Sequence, residues 1–502
     1  MEPVIAEDAL RCAWTEALGT SVSCDDNFFA RGGDSLKALA VAVGLRRRLA
    51  VTVDPGWLYD VPHFTDALAD LQRRLNVGVK CGAVEIIPGS RDGDHPLSFQ
   101  QEGLLAWADR FGDRHHHRLV YAVAAPAGSL DPGRLRSAVD WQGQRHPALC
   151  TSVRNGRQYV SDRRLEFHTI FSSAGTQVEV ARKWAGVHFA DGGPLARVAL
   201  IFGVEEDLLV MAAHQLVMDP WSWGLFLRDV SAHYAVPDTP DTSVLAYSDY
   251  ARWQRGYLTG RRFTEHLEFW RMVAAGYRSE GVPLPGAPVV AEPAGPASRL
   301  PITVPAALVA DLQAIGRQVG ASLFQVLLAL FHAAVAAWAG VEDVVVGSAT
   351  ANRTVPGIDQ VVGFFVNGRF TRSQPTRHTT LEGLIRSIRD EWHAGDAHQE
   401  LHLEKTVFDL GVPDLVNIKF SLDTIPTIDP LPDLGGQRLR HVGLAEVSTS
   451  RRHLALSLTR VDNGLAGGLI YRTDLLKAEN AAGLLSQFER IIREAASEQA
   501  RR

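Results

Sequence analysis

The run Asp26-Asn27-Phe28-Phe29-Ala30-Arg31-Gly32-Gly33-Asp34-Ser35-Leu36 constrains the fold of this chain more than any other. Two successive glycines allow a tight turn that side chains would obstruct. Ser35 then opens an apolar-periodic run, Leu36, Leu39 and Val43, which predicts a helix. A serine there holds its hydroxyl in the positive field of a helix N-terminus, a good place for a phosphodiester. The same residues also read more plainly as a Gly-Gly turn, an Asp-Ser cap and an ordinary helix. Helical patterns surround the run. Leu10, Trp14, Ala17 and Leu18 form a stripe before Gly19, and a second helix is expected from Leu36 to Leu49. A short apolar turn follows at Trp57-Leu58-Tyr59, and Thr65 is expected to cap a last helix carrying Leu68, Leu71 and Leu75. Helices this short bury little surface alone and must pack on one another. Arg46-Arg47-Arg48 reads as a solvated face of the second helix, with a docking patch for partner enzymes as the alternative.

At 502 residues the chain is too long for one core and should hold two or three domains. A net charge of −6 argues against a nucleic-acid binder. The opening MEPVIAEDAL lacks a charged n-region and an apolar h-region, and no long apolar span follows, so neither secretion nor membrane insertion is expected. Cys12, Cys24, Cys81 and Cys150 are scattered without metal-like spacing, which fits a reduced, cytoplasmic protein. His115-His116-His117 invites a metal. Adjacent residues of an extended segment point to opposite faces, however, and no ligand set lies nearby, so no metal is expected.

Residues 77–95 read as a linker rich in Gly, Pro and charge. Beyond it, strand-like runs such as Leu208-Leu209-Val210-Met211 and Val344-Val345-Val346 alternate with amphipathic helices. The Pro- and Gly-rich stretch Gly281 to Ser298 divides this region. The expected domains are 1–76, helical; 77–95, linker; 96–280, a first α/β lobe; 281–298, a loop; and 299–502, a second lobe.

The chemistry is expected at Ala212-Ala213-His214-Gln215-Leu216-Val217-Met218-Asp219-Pro220-Trp221-Ser222-Trp223, where a strand runs in and a helix, Gly224 to Tyr234, runs out. This segment resembles the His-His-x-x-x-Asp-Gly motif of nonribosomal peptide synthetase condensation domains. Other motifs follow in that family's order. They are Ser98-Phe99-Gln100-Gln101, Arg145-His146-Pro147-Ala148-Leu149 and Asp191-Gly192-Gly193-Pro194-Leu195-Ala196-Arg197. Tyr247-Ser248-Asp249-Tyr250-Ala251-Arg252-Trp253-Gln254, Gly347 to Arg353 and Gly363-Phe364-Phe365-Val366-Asn367 complete the set. The resemblance covers about residues 95–490. Residues 5–76, with the Gly-Gly-Asp-Ser-Leu turn, resemble a peptidyl carrier protein.

The resemblance implies an all-α four-helix carrier domain plus an α/β condensation domain. The latter would be two chloramphenicol-acetyltransferase-like lobes set in a V, with the active site in a tunnel between them. It implies 4′-phosphopantetheine on Ser35, framed by Gly33 and Asp34. It implies attack by an acceptor amine on a donor thioester. The implied partners are a phosphopantetheinyl transferase, a trans-acting adenylation enzyme, and a downstream acceptor carrier or a free amine. A tailoring enzyme is a further implied partner.

The motif departs from the family at two places. With Asp219 aligned, His214 takes the place of the first His, Gln215 that of the second, and Pro220 that of the Gly. A Gln amide accepts a hydrogen bond but cannot act as a base. Proline has no N–H to offer a developing oxyanion. It is, however, a good first helical residue after an Asp cap. His214 reads as a satisfied core histidine or as a base shifted one place, and the alternation of side chains along a strand favours the former. Asp219 is expected in a buried ion pair, with Arg353 the first partner considered and Arg145 the second. Ser222 reads equally as a substrate ligand or a helix cap. Asn367 reads the tunnel or pairs with backbone, and Trp221 stands beside it as a substrate or structural residue. His398 and His402, four apart on an expected helix, read as substitute bases or as surface residues, and the surface is expected for both. Three functions follow: amide formation, with an unusual acceptor or by positioning; a non-catalytic platform that recruits tailoring enzymes; or acyl transfer to a free small molecule.

Overall fold

Trp14 organises the first domain. It is fully buried and meets Phe28 and Phe64 edge-on at 5.1 and 5.3 Å. Around it pack the helices Pro3–Leu18, Ser35–Leu49, Trp57–Asp60 and Phe64–Asn76. The double glycine answers to the same core. Gly32 has φ +87°, and a Cβ on Gly33 would lie 2.3 Å from the Phe28 ring. The last helix begins at Phe64, so Thr65 lies inside its first turn instead of capping it. This computed structural model describes residues 3–33, 35–49, 51, 53, 57–76, 86–111, 117–160, 162–190, 192–237, 245–287, 294–355, 357–378, 380–412, 414–423, 431–444, 449–461 and 463–501. Asp34, Cys81, His115, His116 and Asp191 lie outside the described residues, as do the side chains of Ser35, Leu36, Leu39, Arg47 and Tyr59.

The first lobe is a five-stranded sheet in the spatial order Arg440–His441, Arg118–Pro126, Glu206–His214, Ala196–Phe202, Glu166–Phe171. Glu206–His214 has neighbours on both sides and is buried from Asp207 onward, which explains its unbroken apolar run. Helices Pro132–Arg145 and Pro220–Ala235 cover one face. The second helix starts at Pro220, four residues before its expected start at Gly224, because Asp219 caps it. The second lobe is a seven-stranded sheet in the order Asn367–Ser373, Val344–Thr350, Ile418–Asp423, Leu454–Val461, Gly464–Arg472, Gly295–Val304, Thr449–Ser450. Its central helix, Leu323–Ala339, is capped by Ser322 with Gln325 and closed by Gly340 at φ +66°. Among the described residues no single helix is long and apolar enough to cross a membrane.

The lobes exchange chain, and this shifts the expected boundaries. Ile86 packs in the first lobe's core and Gly93–Pro96 forms a strand, so the second half of the 77–95 stretch belongs to the lobe. Val282 packs in the second core and Gly295 begins a strand, so 281–298 is more than a loop. Arg440–His441, from the second lobe's sequence, pairs with Arg118–Pro126. Residues 351–366 send Val355, Ile358, Val361, Val362, Phe364 and Phe365 into the first lobe's core.

One buried group fastens that crossing segment. The Asp219 carboxylate is 1% exposed. Its Oδ1 accepts the Ser222 N–H at 2.8 Å and the Ser222 hydroxyl at 2.7 Å. Its Oδ2 accepts the Phe365 and Val366 N–H groups, both at 3.1 Å. Arg353 Nη2 reaches the two oxygens at 3.0 and 3.2 Å. Arg353 Nη1 donates to the carbonyls of Ile358 and Val361 at 2.6 and 2.7 Å. Asp219→Ala would leave the arginine buried and unpaired, so it should lower stability by about 3–5 kcal/mol, read as an earlier unfolding midpoint. Asp219→Ala melting with the wild type yet inactive would make the carboxylate chemical instead.

Candidate functional site

The end of strand Glu206–His214 is held from three sides. The His214 N–H donates to Leu195 C=O and the Gln215 N–H to His117 C=O, both at 2.7 Å. Gln101 Nε2 donates to Leu216 C=O at 2.8 Å. Gln101 is in turn fixed by a reciprocal cap with Ser98: its Oε1 accepts the Ser98 N–H at 3.0 Å, and its own N–H donates to Ser98 Oγ at 3.1 Å. The Ser98-to-Gln101 motif is thus a brace for the turn that presents position 215. Ser98 Oγ also meets the Tyr247 hydroxyl at 2.7 Å, and that hydroxyl donates to Phe364 C=O at 2.6 Å. A Cβ on Gly363 would lie 2.1 Å from the Tyr247 ring, so the glycine lets the crossing segment lie against it.

At this turn His214 is 7% exposed and its Nδ1 accepts the Leu216 N–H at 3.1 Å. That bond puts the ring hydrogen of the neutral imidazole on Nε2, so His214 faces its surroundings as a donor. Gln215 is half-buried between covered neighbours. Beside them stands His117, which sequence reasoning passed over as one of three adjacent histidines. Its ring lies 6.0 Å from that of His214 and edge-on to Trp107 at 5.8 Å. His117, His214, Leu104, Phe189, Leu195 and Leu216 are among the walls of a cavity of about 110 Å³. A larger cavity of about 360 Å³, between Arg136, Arg154 and Arg164, touches none of His214, Gln215 and Asp219. The smaller one is therefore the cavity of interest.

The second lobe faces this turn with His402, Glu404, Arg451 and Arg452. His402 is 3% exposed, in contrast to the surface position expected from the sequence. It sits in the break between helices Leu381–Asp396 and Leu403–Asp409, against Gly103, where a Cβ would lie 2.7 Å from its Nδ1. Burial pushes the His402 imidazole down. Burial alone would raise Glu404, but His402, Arg452 and Arg451 hold it down at about 2. Arg451 lies over the Trp107 ring at 4.3 Å. His398 is elsewhere, half-buried and stacked on Phe269 at 4.1 Å.

The remaining expected residues are builders of the site. Ser222, expected equally as a ligand or a cap, is fully buried. Its hydroxyl is shared between Asp219 and Gly363 C=O, and its lone pairs take Arg353 Nη2 and the Gly363 N–H. Asp219, expected in a buried ion pair, is paired with Arg353, and neither it nor Ser222 has a lone pair or proton left to offer. Asn367 pairs with backbone, donating to Leu401 C=O at 3.1 Å and accepting the Leu403 N–H at 3.1 Å. Arg145 is corrected too: it meets Asp229 at 2.8 Å, not Asp219, and His146 Nε2 lies 3.0 Å from the same carboxylate. Trp221 Nε1 donates to Asp359 C=O at 3.2 Å. The Asp359 carboxylate receives Arg46 of the first domain at 3.5 Å. Arg46 is therefore a contact between domains and not a merely solvated residue, whereas Arg48 pairs with Glu16 on its own domain.

Comparison with known proteins agrees with this geometry. Residues 91–502 match the family described as Condensation domain, and residues 8–78 the Phosphopantetheine attachment site. Malpinin synthetase of Mortierella alpina is 29% identical over 509 residues, which cover 93% of this chain and 6% of that protein. The chain thus spans a small part of such relatives. Among solved structures, the X-domain from teicoplanin biosynthesis has a TM-score of 0.72 at 20% identity, covering 82% of this chain and 97% of that one. A complex of the X-domain and OxyB has a TM-score of 0.70 at 20% identity, covering 82% and 95%. At this identity the structural likeness speaks to the fold. With the family match spanning most of its length, this chain belongs to the condensation-domain family of nonribosomal peptide synthetases and carries a phosphopantetheine carrier domain ahead of that fold.

Proposed function

We propose that the chain is a carrier–condensation unit that forms an amide between an acyl group carried on Ser35 and an amine acceptor. One observation carries the reading. Asp219, Arg353, Ser222 and Tyr247 all stand bonded to build the site, and Gln215, which falls at the family's second His once Asp219 is aligned with the motif's Asp, follows His214 and bonds His117. Ser35 opens a fifteen-residue helix, whose first N–H groups and dipole favour a phosphodiester, so the residues fit the arm. The arm supplies the thioester. Tethering of donor and acceptor supplies proximity, which retains much of a rate acceleration even without a strong base. A phosphopantetheinyl transferase, a trans-acting adenylation enzyme and an acceptor carrier or free amine are the partners proposed, in the cytoplasm.

A second reading draws on the same departure. Gln215 takes no proton and Pro220 offers no N–H, which suits a platform that holds a carrier-bound intermediate for a tailoring enzyme. The X-domain in its complex with OxyB has this fold and binds a second protein of the same biosynthesis.

Intact mass should rise by one phosphopantetheine arm when wild type meets coenzyme A and a suitable transferase, and Ser35→Ala should stay unchanged. An unmodified wild type beside a modified control carrier would remove the carrier assignment. With Ser35 loaded, single-turnover transfer to carrier-bound and free amines tests the rest. Gln215→Ala removes one hydrogen bond worth about 0.5–1.5 kcal/mol, so the rate should fall roughly twofold to tenfold. A fall of about a thousandfold or more would sink the positioning account, since it matches loss of a proton acceptor. No amide with any loaded pair would leave the platform, and amide with free amines only would point to small-molecule acylation.

A further inference from the structure

His117 immediately precedes the strand Arg118–Pro126. The antiparallel register that sets Arg118 against His214 brings His117 opposite Gln215. The ring is 4% exposed and shares the cavity with His214. Its Nε2 is buried and has no hydrogen-bond partner among the described residues. Buried polar nitrogens left without a partner are uncommon and point to a role. The Gln215 side chain bonds the His117 ring and favours its charged form. An Nδ1–H donated to the amide oxygen satisfies that bond together with the unpartnered Nε2, and leaves Nε2 a bare lone pair. His214 has the opposite tautomer and is a donor.

We propose that His117 Nε2 is the group that accepts the proton of the attacking amine, with Gln215 as the positioning residue that fixes its tautomer. This rests on the amide-forming reading above. The amine nitrogen bonds to the acyl carbon, the C–S bond breaks, and the amine proton passes through His117 Nε2 to the departing sulfur. The imidazole ends as it began. Burial, then Arg451 and His214, push the ring down to about 3, while Gln215 and Glu404 oppose them, so His117 meets the amine neutral with its lone pair unpartnered.

The test uses the full chain with Ser35 loaded from acetyl-coenzyme A, and two acceptors: glycine on a separate carrier protein, and benzylamine. His117→Gln should slow single-turnover amide formation about a hundredfold or more with acceptor binding unchanged. His214→Gln should slow it far less. Nitrogen-15 spectra of labelled histidine should show His117 Nε2 unprotonated in the wild type, a preference that Gln215→Ala loses. A His117→Gln rate within about threefold of wild type overturns the inference and leaves the amide-forming reading intact. A protonated Nε2 in the wild type does the same. No amide from the wild type with either acceptor overturns that reading, and the inference falls with it.

Discussion

Everything in the large domain hangs on a carboxylate that no solvent reaches. An isolated buried charge is expensive, and Asp219 is tolerable only because Arg353 neutralises it and a ring of N–H and O–H groups saturates its oxygens. Those donors come from two sources. Ser222 belongs to the helix that Asp219 caps; Phe365, Val366 and Arg353 belong to a segment from the far side of the chain. Satisfying the charge and closing the lobe interface are therefore one event. The Phe365 ring, 4.2 Å from the guanidinium, adds a cation–π contact to the same knot.

The site then divides between groups that build and groups left to act. Ser98, Gln101, Asp219, Ser222, Tyr247, Arg353 and Asn367 spend their polar atoms on backbone and on one another. What remains at the cavity wall is the imidazoles of His117, His188 and His214 and the Arg118 guanidinium, with the Gln215 amide next in the chain. On the proposed amide-forming reading, such a site serves reactants that arrive already activated and tethered. There the protein's work is orientation and the routing of a single proton, not the supply of a strong base.

Local chemistry was legible in the chain. The Gly-Gly turn, the order of the motifs and the Asp219 cap with Pro220 as first helical residue can be read because each spans a few residues. The Asp219–Arg353 pair was legible too, from the need of a buried carboxylate for a countercharge. His117 was not, since only the register of two distant strands brings it beside Gln215. His402 was misplaced because a four-residue spacing reads as one helix, whereas the chain breaks there and turns the imidazole inward. The edges of the linker and of the inter-lobe stretch shifted for a different reason: composition marks where a chain is polar, and says nothing about strands and apolar residues that cross from one lobe into the other.

That crossing orders the assembly of the molecule in time. A ribosome delivers residues 96–280 first, yet the core they enclose still lacks Ile358, Phe364 and Phe365, and its outer sheet edge lacks Arg440–His441. The nascent first lobe must wait with an open apolar face while residues 281–365 are made, and with an open sheet edge until 441, a non-local closure of the slow kind. An excised first lobe would inherit the same vacancy permanently, so the two lobes are one folding unit although they look like two.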